Sequence, residues 1–185
     1  MLANLFLSLS IAMIGSTDLT QSESNTLVNL RTSDPVVAAA LKQGRESSPT
    51  FAALAERVEQ AGILVHIVRV QTLPHGMEGC LVPGSTHVVR ADNRIVRVGY
   101  VRVLVKMNLS FDRLIAVLAH ELQHVCEVIE SGMSVDADAL DQLFRRIGSP
   151  QQGTRTAEQY ETAAAQRITD IVGRELQMSR SRARH

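Results

Sequence analysis

The chain has 185 residues with nineteen basic and nineteen acidic side chains, a size that fits one domain with a proper core. Formal neutrality argues against a nucleic-acid or anionic-membrane footprint, and the basic tail Arg180 to His185 reads as a frayed, solvated end. Tryptophan is absent and aromatics make up 3%, so the core must come from Val, Leu, Ile and Ala.

Residues 1–14 form an apolar run too short to span a bilayer, followed by Gly15-Ser16-Thr17. Residues 1–16 thus read as a signal peptide lacking its positive n-region, which favours export, with a cytoplasmic protein as the alternative. Residues 17–33, polar and without period, read as a mobile lead-in to a single domain over 34–185. Asp34-Pro35 opens a short helix expected to stop at Gly44, and Ser48-Pro49 opens a second, with Phe51, Leu54, Ala55 and Val58 on one side, stopping at Gly62.

Ile63 to Val70 is almost continuously apolar, as for a strand covered on both faces; His66 within it is assigned no role. Residues 71–85, with two prolines and three glycines, make an irregular excursion with a brief strand near Cys80 to Val82. Thr86 to Ala91 and Arg94 to Val98 flank Asp92-Asn93 as a hairpin, and the second strand runs on to Lys106. Because Arg97 and Arg102 have opposite parity, a β-bulge is expected at Gly99, placing Val96, Val98, Val101, Val103 and Val105 on one face.

The next segment carries the chemistry. Ser110 is a candidate N-cap, and no Gly or Pro interrupts a helical pattern from Phe111 to about Glu130. Leu114, Leu118, Leu122, Val125 and Ile129 form its apolar stripe, widened by Ile115 and Cys126. Within it, His120-Glu121-Leu122-Gln123-His124 sets two imidazoles one turn apart, able to share a tetrahedral zinc ion, with Glu121 roughly 100° round the helix as a general base. The histidines fall on the face opposite the stripe, where two solvated side chains would be the plain alternative.

Ser134 starts a further helix, Val135 to Ile147, stopped by Gly148-Ser149-Pro150; Gln151-Gln152-Gly153 leads to a last helix, from about Thr156 to Leu176. A catalytic zinc normally has three protein ligands plus water. Glu161 lies in the apolar stripe Ala157, Tyr160, Ala164, Ala165, Ile168, Ile171, Val172 and Leu176, where a carboxylate is costly unless a cation meets it. Zinc is one such cation and an arginine is the other. Glu127, one turn past His124, is a rival better placed to hold a ligand histidine by a hydrogen bond. His75 and His87 are further candidates by residue type alone. Cys80 and Cys126 are too few and too far apart for a metal knuckle; Cys126 reads as a small buried hydrophobe, with a disulfide between the two left open for an exported protein.

His120-Glu121-Leu122-Gln123-His124, with Glu161 in Tyr160-Glu161-Thr162-Ala163-Ala164, resembles the gluzincin branch of the zincin metallopeptidases, most of all its compact bacterial members. The order of elements matches from about Pro49 to the C-terminus. That resemblance implies a zincin-like α+β fold: a small, mostly antiparallel sheet packed on the HExxH helix, then C-terminal helices. It implies a zinc metallopeptidase acting on peptide or protein substrates, with His120, His124 and Glu161 as ligands and a zinc-activated water with Glu121 as general base. An extended peptide would pair with the edge of strand 94–106. Many gluzincins carry an Asp four residues after the ligand Glu; here Ala165 stands there, so Glu127 or another residue must support the histidine. Tyr100 and Tyr160 are the residue types available for an oxyanion, with nothing to single either out. A zinc protein of structural or lost catalytic role, or a helical interaction module with an incidental motif, are the readings from other classes.

Overall fold

The structure is a computed structural model that describes residues 29–91, 94–150 and 160–183. The expected signal peptide, most of the lead-in, the Asp92-Asn93 connection and the Gln151-Gln152-Gly153 loop lie outside those residues. The end of the lead-in is not a loop: Leu30–Arg31 forms a strand, β1.

The first helices follow their caps. Asp34 accepts from the N–H groups of Val36 and Val37 at the head of α1 (Pro35–Ser47), and Ser48 accepts from Phe51 N–H at the head of α2 (Pro49–Gln60). Gly44 does not stop α1. It lies inside the helix, buried, where a Cβ would fall 2.9 Å from ring carbons of Phe51, so its smallness serves helix contact and α1 runs on until Pro49. The N-terminus of α2 also receives Glu175, whose carboxylate accepts from Ser48 Oγ, from Thr50 N at 3.2 Å and from Thr50 Oγ1 at 2.8 Å. A carboxylate there complements the positive end of the helix.

The four main strands are β1, β2 (Ile63–Val70), β3 (Gly79–Ala91) and β4 (Arg94–Lys106), in spatial order β1-β2-β4-β3. Strand β1 runs parallel to β2, β2 runs parallel to β4, and only β3 pairs antiparallel with β4. The sheet is therefore mixed, not mostly antiparallel. Hairpin geometry fixes β4 beside β3, and β4 then slots between β3 and β2, a choice of neighbour that residue patterns do not encode. Strand β4 is thus interior, and the open edge expected on it belongs to β3.

The irregularity expected at Gly99 is on the other strand. Val82 pairs with Arg102 and Ser85 with Tyr100, so the extra residue sits on β3 between them. A Cβ on Gly84 would overlap the Tyr100 carbonyl oxygen at 1.7 Å, which leaves glycine as the residue that fits this crossing. Since β4 runs without a bulge, Val98 has the opposite parity to Val101, Val103 and Val105.

Helices cover one face of the sheet. Val65 and Ile67 of β2 and Val101, Val103 and Val105 of β4 are buried against Phe51, Leu54, Val58, Ile115, Leu118 and Leu122. Leu64, His66 and Val68, on the opposite face, are half-buried, so β2 is not covered on both sides. Each fully buried aliphatic or aromatic side chain contributes about 1.5–3 kcal/mol. The central helix α3 (Phe111–Ser131) is buried on nearly every side, since α1, α2 and α5 (Ala163–Arg182) all pack on it. Ser110 stands at its N-cap position without a capping side-chain bond. The fourth helix, α4, spans Ala137–Ile147 and is capped by Asp136, two residues later than expected. The tail does not fray at Arg180: α5 continues to Arg182, and Arg180 pairs with Asp112. No helix of the described residues is long and apolar enough to cross a membrane.

Asp34 also meets Arg69 of β2 at 2.7 Å, and that hydrogen bond holds its carboxyl below the usual value of 3.8. A depressed carboxyl stabilises the fold above its unfolded pKa and loses that contribution as pH falls through the folded one. Asp34→Asn keeps a capping side chain but not the charge, and is expected to cost up to about 1 kcal/mol at pH 7. Urea denaturation of both proteins checks this; the gap should close below the carboxylate range.

Candidate metal centre

The motif helix delivers its two histidines as spacing requires. Their ring centroids lie 4.9 Å apart at 80° on α3. They are not solvated: His124 is only 7% exposed and His120 is half-buried. The face opposite the main stripe is covered because α5 and the segment before it pack there.

Glu161 reaches the histidines, but not from a helix. Tyr160–Glu161 is a short strand, β6, paired with Ser149–Pro150, β5. Helix α5 begins only at Ala163, capped by Thr162, whose Oγ1 accepts from Ala165 N–H at 3.1 Å. The spacing of Tyr160 and Ala164 imitates a helical stripe, and the cap breaks it. From β6, Glu161 Oε2 comes within 3.2 Å of His120 Nε2, and Oε1 within 3.7 Å of His124 Nε2. One donor atom from each of His120, His124 and Glu161 lies within 4.8 Å of the others.

The far nitrogens of both rings are already engaged. His124 Nδ1 lies 2.8 Å from Glu127 Oε2, an acceptor, so this nitrogen carries the proton. His120 Nδ1 lies 2.9 Å from Thr169 Oγ1, and that hydroxyl donates to the Ala165 carbonyl at 3.0 Å, so it accepts from the ring. Each ring therefore presents its Nε2 to Glu161, and Nε2 is the atom left to bind a cation when the ring is neutral. This is how metal-binding imidazoles are oriented. Glu127 is the support for His124 that the residue at Ala165 does not provide, and Thr169 does the same for His120. Phe144 of α4 packs edge-on against His124 at 5.1 Å.

Charge agrees with geometry. Burial by itself lowers the pKa of His124, yet its hydrogen bond to Glu127 and the charges of Glu121, Glu127 and Glu161 raise it above the usual value. Burial pushes Glu127 and Glu161 up, but histidine contacts outweigh it and hold both carboxyls low; Thr162 also hydrogen-bonds Glu127. The cluster thus calls for positive charge at its centre. Two histidines and one carboxylate are the donor set of a catalytic zinc site with one position open. The residues fit the ion.

Glu121 stands beside this cluster and belongs to none of its bonds. It is 3% exposed, and its Oε2 has no hydrogen-bond partner among the described residues. Burial, first of all, and then the charge of Glu161 raise its pKa, against the lowering effect of both histidines. A buried carboxylate oxygen without a partner is uncommon enough to need a reason. Gly79 of β3 lies over it: a Cβ there would fall 2.5 Å from Glu121 Oε1 and 2.8 Å from Val117 Cγ1.

The four side chains line a cleft of about 730 Å³, walled by Gly79, Cys80 and Leu81 on one side and Leu140 and Phe144 on the other. Tyr160 lines it and Tyr100 does not. Cys80 and Cys126 are both free, with thiols pushed up to about 11 by burial. The side chains of His75 and His87 lie outside the described part. Sequence reasoning missed Thr162, Thr169 and Gly79. A signal existed for Thr169, a polar residue in the row Ala165, Thr169, Val172, Leu176, and for Thr162, a capping residue type before an alanine run. Nothing marked Gly79. No protein-family model, curated protein or solved structure matches this chain.

If the cluster holds zinc, metal at 100 times its Kd should add about 2.7 kcal/mol to the stability of the fold. Thermal denaturation with and without zinc measures this. Alanine at His120, His124 or Glu161 should abolish the increment, while Glu127→Ala should weaken zinc binding roughly 10–100-fold. An Glu161→Ala protein stabilised like the wild type would remove Glu161 from the site.

Proposed function

We propose that this chain is a zinc-dependent hydrolase of the gluzincin type, and a peptidase by its cleft. What supports the reading is the buried, unpartnered oxygen of Glu121 beside three converging donors whose orientation is set from behind. A structural zinc site has four protein ligands and no need of such a carboxylate.

Zinc bound there supplies a Lewis acid that polarises a carbonyl and brings the pKa of water near neutrality. The rest falls to the protein. Glu121, with its raised pKa, accepts the proton of the attacking water and returns it to the leaving nitrogen. Glu127 and Thr169 keep the rings from turning during that exchange.

The substrate strand would lie on β3. Lys106 N–H bonds the Glu78 carbonyl at 2.8 Å, and Gly79 is opposite Val105. Antiparallel alternation then turns the N–H and C=O of Gly79 and Leu81 to the open edge, into the cleft. An extended peptide pairing there places its backbone over Glu121. The absence of a side chain at Gly79 leaves the room.

Glu121→Gln keeps size and hydrogen bonding but cannot accept the proton. Peptide hydrolysis by the zinc-loaded protein, followed on a mixed fluorogenic peptide set, should fall about 10²–10⁴-fold while zinc content is unchanged. Retained hydrolysis would sink the role of Glu121, and zinc binding with no hydrolysis by the wild type would leave a structural metal. In the same assay Gly79→Ala, whose methyl lands on Glu121, should lower turnover with zinc still bound; full activity would show that Glu121 has room to move.

A further inference from the structure

Thr162 touches both carriers of the cluster and is no part of the donor set. It is 3% exposed. Its Oγ1 caps α5 by accepting from Ala165 N–H and donates its proton to Glu127 Oε1 at 2.7 Å. Glu127 uses its other oxygen to hold His124 Nδ1. The residue before Thr162 is Glu161, whose Oε1 accepts from Thr162 N–H at 3.0 Å. A single residue therefore meets one donor of the cluster directly and a second through one carboxylate.

Among the described residues no other group takes its place. The remaining donor to Glu127 among the described residues is Gln123 Nε2 at 3.5 Å, the outer limit of a hydrogen bond. Glu127 is 8% exposed, so without the hydroxyl its Oε1 is left nearly unsatisfied away from water. A buried carboxylate in that position rotates toward another donor, and the bond to His124 goes with it. The cap matters at the same place, because it starts α5 two residues after Glu161 and stops the helix from taking Glu161 into its first turn.

We propose that Thr162 is the positioning residue of the His120–His124–Glu161 site: it fixes the His124 ring through Glu127 and holds Glu161 beside it. The inference rests on the metal-site reading of that cluster. It requires both functions of the hydroxyl. Serine retains them, valine keeps the shape and loses both, and glycine loses the hydroxyl at little cost to the helix end.

The test compares the full chain with Thr162→Ser, Thr162→Val, Thr162→Gly and, as a control, Asp136→Ala. Asp136 caps α4 by accepting from Ala139 N–H at 3.0 Å and does not line the cleft. Zinc affinity is measured by competition with a chromophoric chelator, melting temperature without metal, and the His124 Nδ1–H by proton NMR of the metal-free protein. Valine and glycine should weaken zinc binding about 10–100-fold and serine should restore it, whereas Asp136→Ala should lower the melting temperature and leave zinc affinity alone. The protected Nδ1–H signal should persist with serine and vanish with valine and glycine. Wild-type zinc affinity in the glycine or valine protein, or equal loss in the Asp136→Ala control, overturns the proposal. If the wild type binds no zinc the metal reading fails, and the NMR signal alone decides: unchanged in the glycine protein, it overturns the role of Thr162. Should the valine protein fail to fold, the glycine protein carries both measurements.

Discussion

The carboxylate of Glu127 is where the two halves of this molecule are tied. One oxygen holds a ring on α3 and the other receives the hydroxyl that begins α5. A carboxylate buried this far persists only because both oxygens are satisfied, and its depressed pKa shows that the charged form is the favoured one. The hydrophobic contact between the helices supplies most of the free energy. Hydrophobic contact has no direction, however, and would tolerate small rotations of α5 that move Glu161 out of reach. The polar tie removes that freedom. What three converging donors need is accuracy, and accuracy comes from hydrogen bonds whose lengths and angles admit little choice.

Much of the centre was legible in the sequence because helical spacing is rigid. His120 and His124 on one face, and Glu121 off it, follow from 3.6 residues per turn and from nothing else. Glu161 does come to the two histidines, but from a different element than expected. Its place in an apolar stripe marked it as a carboxylate facing inward, and that remains true on β6, but the stripe continued backwards across a cap. Gly79, by contrast, left no trace. Its role comes from how closely β3 crosses α3, a tertiary distance that no local pattern carries. The mixed sheet was unreadable for the same reason: the pattern in β4 marks a strand, and its neighbours are chosen by the whole fold.

The fold and the site make different demands on residue type. Alanine, valine and leucine fill the interior, and apart from Ser48 the buried polar residues among those described, Glu121, His124, Glu127 and Thr162, gather along the second half of α3. Glu121, His124 and Glu127 lie within two turns of a helix that is otherwise apolar on nearly every side. Three such groups in one buried stretch weaken a helix as a core element. Their grouping makes physical sense as a preformed basin for a cation, where each charge is compensated by the others once the cation is present.

The short pair β5–β6 has a bearing on how the protein comes into being. Both histidines lie on α3, whereas the third donor arrives only after α4 and that pair, and it is secured by the helix that follows. A chain interrupted ahead of β6 carries an imidazole pair with no carboxylate to join it. In chain order, α3 therefore precedes by about thirty residues the carboxylate that completes the cluster of three donors. On the proposed reading, metal capture waits for β6 and the start of α5, and not merely for formation of the helix that bears the motif.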